Sequence, residues 1–223
     1  MSYGIIATVL LTLLGLEVPN LHADVHSARR DGVVQLAAIN HEVAKPGKLV
    51  SHEVDELLLA TIQFYEARLD PHPPDGDCRP NGRYAKVCSV QGPMQLMKGA
   101  NAFLPAYDPS WKGVTSKDLR DPRTNVDAAY TVLAQRKTDC GGPPGVWITA
   151  YGQGKCPTWT WRDGKRVRKI DWEGRRRCAL LTALLEQTGR KPDGWLCGHE
   201  GKPVLRHTRW LVRKLRATTP PVQ

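Results

Sequence analysis

Apolar residues recur at Val54, Leu57, Leu58, Ile62 and Tyr65, with the three- and four-residue spacing of a buried helical face. The pattern predicts a helix that begins after Ser51, a good N-cap, with Glu53, Asp55 and Glu56 placing negative charge in its first turn. Pro71 stops it. An earlier helix is expected from Ser27 to about Val43. Residues 71–88 are dense in Pro, Gly, Asp and Asn and read as a loop. Gly92 to Leu104 reads as a turn and then a short helix, with Pro93 at its first position. Asp121-Pro122 reads as an N-cap and first helical residue, and Val126, Ala129, Tyr130 and Leu133 share a face of the next helix, to about Lys137. Gly141-Gly142-Pro143-Pro144 breaks the chain. Val146 to Tyr151 is a short apolar segment, and residues 157–170 are basic with two tryptophans. Two more helices are expected, Trp172 to Thr188 ended by Gly189, and about Pro203 to Ala217. Only short stretches read as strand, and no repeat is visible, so the chain is mainly α.

One polar residue breaks the logic of the Leu57–Leu69 stretch. Glu66 lies four residues after Ile62 and therefore borders the apolar face. It also sits at the negative end of the helix dipole. Partial burial and that dipole both favour the protonated carboxyl. A glutamic acid held protonated near neutral pH is what a general acid for glycosidic cleavage requires. The alternative is an ordinary solvated glutamate paired with Arg68 or another base.

Composition divides the chain. Of the net charge of +10, residues 1–160 contribute nothing, with 16 basic and 16 acidic residues, whereas residues 161–223 hold 16 basic and 6 acidic. The basic part attracts a polyanion, or is a solvated surface with no single partner. Six cysteines, at positions 78, 88, 140, 156, 178 and 197, contain no C-x-x-C and no zinc-site spacing, so no metal or cofactor is expected. An even count at short separations fits disulfide-closed loops in an oxidising compartment. Nearest-neighbour pairing gives 78–88, 140–156 and 178–197; six buried free thiols in a cytosolic protein is the alternative. The apolar run Ile5 to Leu16 is too short to span a bilayer as a helix and suits a signal peptide covering residues 1–23, although no Lys or Arg precedes it. These features imply a periplasmic or secreted location, with no stable membrane span.

Four stretches then occur in a telling order: Tyr65-Glu66-Ala67-Arg68, Ser89-Val90-Gln91-Gly92-Pro93-Met94-Gln95-Leu96, Asp121-Pro122-Arg123-Thr124-Asn125-Val126, and Ala150-Tyr151-Gly152-Gln153-Gly154. Together, over roughly residues 50–156, they resemble the soluble lytic transglycosylase family, related to goose-type lysozyme. The resemblance implies a lysozyme-like domain over 24–157, mainly α with little strand, and a basic helical C-terminal extension over 158–223. It implies that Glu66 is the single catalytic acid, that Gly92, Met94 and Gln95 form the turn lining a sugar cleft, and that Tyr151 hydrogen-bonds the glycan or the carboxyl. Met94 is either an apolar platform for sugar or simple core packing. Asp121, Pro122 and Asn125 read as structural. Three departures stand out. Ala67 replaces the usual Ser after the acid, Pro93 replaces a Leu, and Gly152 replaces a substrate-touching Asn, a role that Gln153 could take up from one position further on.

As the resemblance implies, the substrate is the β-1,4 bond between N-acetylmuramic acid and N-acetylglucosamine in peptidoglycan, and the product a 1,6-anhydro sugar. Attack by water instead would make the enzyme a muramidase. An inverting hydrolase needs a second carboxylate, for which Asp70, Asp75 and Asp77 are the nearby residues, each also suited to a turn. A different class of protein remains open: a catalytically idle, basic cell-wall binder using Trp159, Trp161, Trp172, Trp195 and Trp210 beside the C-terminal Arg and Lys residues. In the bland version of that segment the helix is a solvated face and the tryptophans are core. The partners expected are peptidoglycan strands and an anionic cell-wall polymer, with nucleic acid disfavoured by the cysteines and export run, and the chain is expected to be a monomer.

Overall fold

The computed structural model describes residues 7, 10–12, 23–81, 85–162, 164–189 and 206–218. Most of the apolar run read as a signal peptide lies outside the described residues, as does Trp195. The chain forms two compact units, Asn20–Val132 and a second built from Leu133–Gln223 with Met1–Pro19.

In the first unit, α1 (Ala23–Ala44) packs against α2 (His52–Ala67). Ser51 caps α2 as its sequence predicts, its side chain accepting from the Val54 amide at 3.5 Å. The helix is buried on every side: Leu57, Leu58, Leu59 and Ile62 are wholly inaccessible and Phe64 nearly so. Each contributes ~1.5–3 kcal/mol of burial. A helix so enclosed must satisfy its polar residues internally. Gln63 and Asn40, both buried, exchange two amide hydrogen bonds of 2.8 and 2.9 Å between α2 and α1. Buried Asp55 accepts from the amides of Leu49 (3.0 Å) and Val50 (2.8 Å) and from the Tyr130 hydroxyl (2.6 Å). Burial holds the Asp55 carboxyl above its ordinary value, and burial together with this acceptor raises the Tyr130 phenol.

The segment after α2 is more ordered than a loop. β1 (Gly76–Asn81), β2 (Ala85–Gln91) and β3 (Leu96–Met97) form an antiparallel sheet in that order. The Pro, Gly and Asn residues that made residues 71–88 look irregular sit in and around a hairpin whose register places Cys78 opposite Cys88. Their side chains, and hence the 78–88 pairing, lie outside the described residues. The helix expected from Pro93 begins only at Ala100, as α3 (Ala100–Tyr107), because residues 92–97 are used by a turn and a short strand. Short 3-10 turns at Pro109–Trp111 and Asp118–Arg120 lead into α4 (Pro122–Cys140). Asp121 caps it, its carboxylate accepting from the amide (2.8 Å) and hydroxyl (2.9 Å) of Thr124.

The second unit carries the end of α4, then α5 (Pro144–Gln153), a hairpin of β4 (Trp159–Arg162) and β5 (Lys165–Arg168), α6 (Trp172–Gln187) and α7 (Arg206–Thr218). The short apolar segment of the sequence is thus a helix, fully buried from Pro144 to Ala150, and the basic stretch after it is a hairpin. The Cys140–Cys156 disulfide closes the loop around α5. Cys178 is buried in α6, and its expected partner Cys197 lies outside the described residues. Helices α5 and α6 come close at Gly174, where an added Cβ would stand 1.9 Å from the Thr149 hydroxyl oxygen. Of the tryptophans of the basic segment, the four described, Trp159, Trp161, Trp172 and Trp210, are exposed and not core, Trp161 at 74%. Trp159 and Trp161 alternate with Thr160 along β4 and stand opposite Arg168 and Arg166 of β5, whose long stems can run beside an exposed ring. Arg168 lies 4.0 Å and Arg166 5.0 Å from the Trp159 ring centroid.

Candidate active site

Glu66 occupies the last turn of α2 and is half-buried. The backbone immediately beyond it is unusual. Arg68 caps the helix with φ +54°, donating its amide to the carbonyls of Gln63 and Phe64, and Leu69 continues with φ +58°. Two successive non-glycine residues in the left-handed region each cost ~1–2 kcal/mol. The cost is offset by Leu69, which is 1% exposed, and by the Asp70 amide donating to the Ala67 carbonyl at 3.0 Å. The chain therefore reverses sharply within three residues of Glu66. Strained backbone of this kind concentrates beside functional groups. Asp70 folds onto the amide of His72 at 2.9 Å, and Asp75 pairs with Lys98 at 2.7 Å and Arg120 at 3.0 Å. Both carboxylates are committed to turn and ion-pair work. The Asp77 side chain lies outside the described residues.

The Gly92–Gln95 turn is built around one buried side chain. Gly92 has φ +72°, and an added Cβ would lie 2.4 Å from the Asn125 amide carbon. Only glycine can both adopt that backbone and admit the carboxamide. Asn125, fully buried at the start of α4, donates to the carbonyls of Gln91 (3.1 Å) and Leu119 (2.8 Å) and accepts from the Met94 amide (2.9 Å). The residue read as a helix-start feature is in fact the clamp that fixes the turn. Met94 is fully buried, which fits the packing alternative of the two open to it. Gln95 has φ +48°, and both its backbone and side-chain amides donate to the Gly92 carbonyl at 2.9 Å. Its side-chain oxygen fills the space that a Cβ at Gly76 would take, at 2.0 Å from that position. Gly92, Met94 and Gln95 are thus brought together with Asn125 and Gly76 as one rigid turn.

In the second unit, Tyr151 is half-buried near the end of α5. Gln153 donates to the Asp171 carboxylate at 2.8 Å, the same side chain that caps α6 through the Gly174 amide at 2.7 Å. Its amide nitrogen is therefore occupied by a helix cap. A Cβ at Gly152 would meet Arg177 Nη1 at 3.2 Å and Glu173 Oε2 at 3.3 Å. A side chain there would press on the ends of Arg177 and Glu173, which would have to give by a few tenths of an ångström, so the position is tight for the family's asparagine.

The transglycosylase SLT domain model matches residues 48–172, more than half of the chain. The protein belongs to the SLT transglycosylase family. Its fold is lysozyme-like and mainly α, with two small antiparallel sheets, as the sequence leads one to expect. At family level this means lytic transglycosylase-type cleavage of peptidoglycan, which SLT proteins carry out outside the cytoplasm. The match contains Glu66, the Gly92–Gln95 turn, Tyr151 and Gln153, and it runs past residue 157 to include the β4–β5 hairpin. Comparisons with curated proteins and with solved structures give no match. Among the described residues no helix is long and apolar enough to cross a membrane.

Proposed function

We propose that this SLT protein cleaves the β-1,4 bond between N-acetylmuramic acid and N-acetylglucosamine by transglycosylation, with Glu66 as its single acid and base. The observation that carries the proposal is the place of Glu66: half-buried in the last turn of a helix that is buried from Val54 to Phe64, next to a strained reversal, inside the family match. In the first step the Glu66 carboxyl gives its proton to the glycosidic oxygen as the bond to the anomeric carbon breaks. The substrate's N-acetyl group stabilises the oxocarbenium-like centre, which replaces the nucleophilic carboxylate of two-carboxylate glycosidases. In the second, the Glu66 carboxylate takes the proton of the sugar's own hydroxymethyl group, and that oxygen closes the 1,6-anhydro ring. Gln95, half-buried on the turn that Gly92 and the packed Met94 shape, is proposed to contact the glycan. Tyr151 is proposed to keep the glycan contact that the family pattern assigns, and Gln153, one position beyond the family's asparagine, to take up that residue's contact in exchange for its bond to Asp171.

Of the nearby carboxylates whose side chains are described, Asp70 and Asp75 are both engaged elsewhere, which supports transglycosylation over an inverting muramidase that would use either of them. The test is to digest purified peptidoglycan and weigh the products. Anhydro ends, lighter by one water, support the proposal; reducing ends would establish a muramidase in its place.

A second role is supported by the β4–β5 hairpin. Exposed Trp159 and Trp161 beside Arg166 and Arg168 suit an anionic cell-wall polymer, so residues 158–223 are proposed to attach the enzyme to its substrate. Binding to isolated walls should weaken steeply with salt if charge carries it. A Trp161→Ala variant that binds walls as tightly as the parent would exclude this contact.

A further inference from the structure

The first unit holds a second polar cluster, away from the turn and the end of α2. His52 and Glu56 are four residues apart on one face of α2, and His41 reaches them from α1. One ligand atom from each of the three lies within 4.8 Å of the others. His41 Nδ1 bonds the Glu56 Oε1 oxygen, and His52 Nε2 stands 3.4 Å from that same oxygen and 3.0 Å from the His41 carbonyl. Both rings crowd one oxygen of a carboxylate that is 1% exposed. The other oxygen, Oε2, is buried with no hydrogen-bond partner among the described residues. A buried carboxylate oxygen without a donor is rare, and it marks an ion, a water or a strained pair. The two rings are 26% and 31% exposed at the side chain, so the cluster is open on the imidazole side.

We propose that His41, His52 and Glu56 form a divalent transition-metal site, of the zinc type, that clips α1 to α2. The donor set is two imidazoles and one carboxylate, the combination borderline cations prefer over calcium or magnesium, with a position left for water. The i, i+4 spacing of His52 and Glu56 is the one by which a single helix turn offers two ligands to one ion. In this arrangement the cation takes the place between the His41 nitrogen and the carboxylate, and it brings charge to the buried oxygen that has no donor among the described residues. To admit the ion the His41 ring draws back from Oε1, and His52 Nε2 gives up its proton and its bond to the His41 carbonyl, so metal binding releases protons. The site is unrelated to glycan chemistry: its ligands lie in α1 and the first turns of α2, and Glu66 lies in the last turn.

The experiment uses the full chain with any affinity tag removed, stripped with a chelator and titrated with cobalt(II) and then zinc. One equivalent of cobalt should give the strong visible absorption of a four-coordinate ion, and one equivalent of zinc should bleach it. Glu56→Gln and His52→Asn should each lower the affinity by at least the ~10–100-fold that loss of even an outer-shell partner costs. His52 is surface-accessible, so its variant keeps the test valid if Glu56→Gln fails to fold. Absence of a stoichiometric band in the wild type, or an unchanged affinity in a folded His52→Asn, would overturn the proposal and leave the cluster a hydrogen-bonded clip between helices.

Discussion

Replacing Gly92 by alanine separates two reasons for a glycine that usually coincide. The first is conformational: φ is +72°, and an L-residue there costs ~1–2 kcal/mol. The second is space: the new methyl would sit 2.4 Å from the Asn125 carboxamide carbon and nitrogen and 2.8 Å from its oxygen. Asn125 cannot stay, and its hydrogen bonds to Gln91, Leu119 and Met94 loosen with it. Each buried group left unsatisfied costs ~1–3 kcal/mol, so a total of about 3–6 kcal/mol is expected, allowing for partial relaxation. Gly113 provides the control. It has φ +91° in the same unit, and nothing lies within 4 Å of its Cβ position. Gly113→Ala should therefore cost only the backbone share, ~1–2 kcal/mol. Urea unfolding of both variants beside the wild type measures the difference directly. Equal losses from the two substitutions would refute the clamp, because they would show that backbone conformation alone makes Gly92 a glycine.

Other consequences rest on single contacts. Asn125→Ala should lose ~2–4 kcal/mol and should lower turnover more than Gly113→Ala does, because it leaves buried turn groups unpaired; thermal melts and wall digestion read the two effects. Removing the Cys140–Cys156 bridge by paired serine substitution opens a 16-residue separation and should cost ~3 kcal/mol, read by denaturant midpoint under non-reducing conditions. For Asp55 the sign is the reverse of a salt-bridged acid. Its folded carboxyl holds a proton to higher pH than the unfolded chain does, so its burial penalty is fully present above the raised value and is relieved as pH falls through it toward 3.8. Asp55→Asn lacks that relief, so the stability of the wild type relative to the variant should rise as pH drops, measured by unfolding at stepped pH; a pH-independent difference would contradict the burial account.

Much of the helical frame was legible because its signals are local. Ser51 and Asp121 each cap the next helix in the chain as expected, and Pro122 takes the first helical position of α4; Asp171 caps α6 in the same way, a local signal beyond those that predicted that helix. The strands were harder. Residues 76–91 carry Pro, Gly and Asn at high density, and their pairing is between segments, so no window of the sequence contains it. The β4–β5 hairpin did leave a signal: Arg162 pairs with Lys165 across Asp163-Gly164, a favoured hairpin dipeptide between Trp-Thr-Trp and Val-containing runs. The apolar run at Val146–Tyr151 was undecidable by period, because a segment buried on all sides shows none.

In the site, the four motifs placed Glu66, the turn and Tyr151 within the stretch that the family model matches. Long-range polar contacts were invisible. Asn125 reaches back across 31 residues to Met94, and Asn40 across 23 to Gln63. The same is true of His41, whose partners lie on another helix and whose spacing to His52 matches no metal motif.

The role of Glu66 rests most directly on one comparison. Wild type and Glu66→Gln are incubated with purified peptidoglycan, and the released muropeptides are quantified by mass spectrometry, with matched unfolding curves to show that both chains are folded. The account predicts anhydro-ended fragments from the wild type and a fall in release of ~10²–10⁴-fold in the variant, the range an acid/base group contributes. Release of the same fragments at an unaltered rate by Glu66→Gln would contradict it.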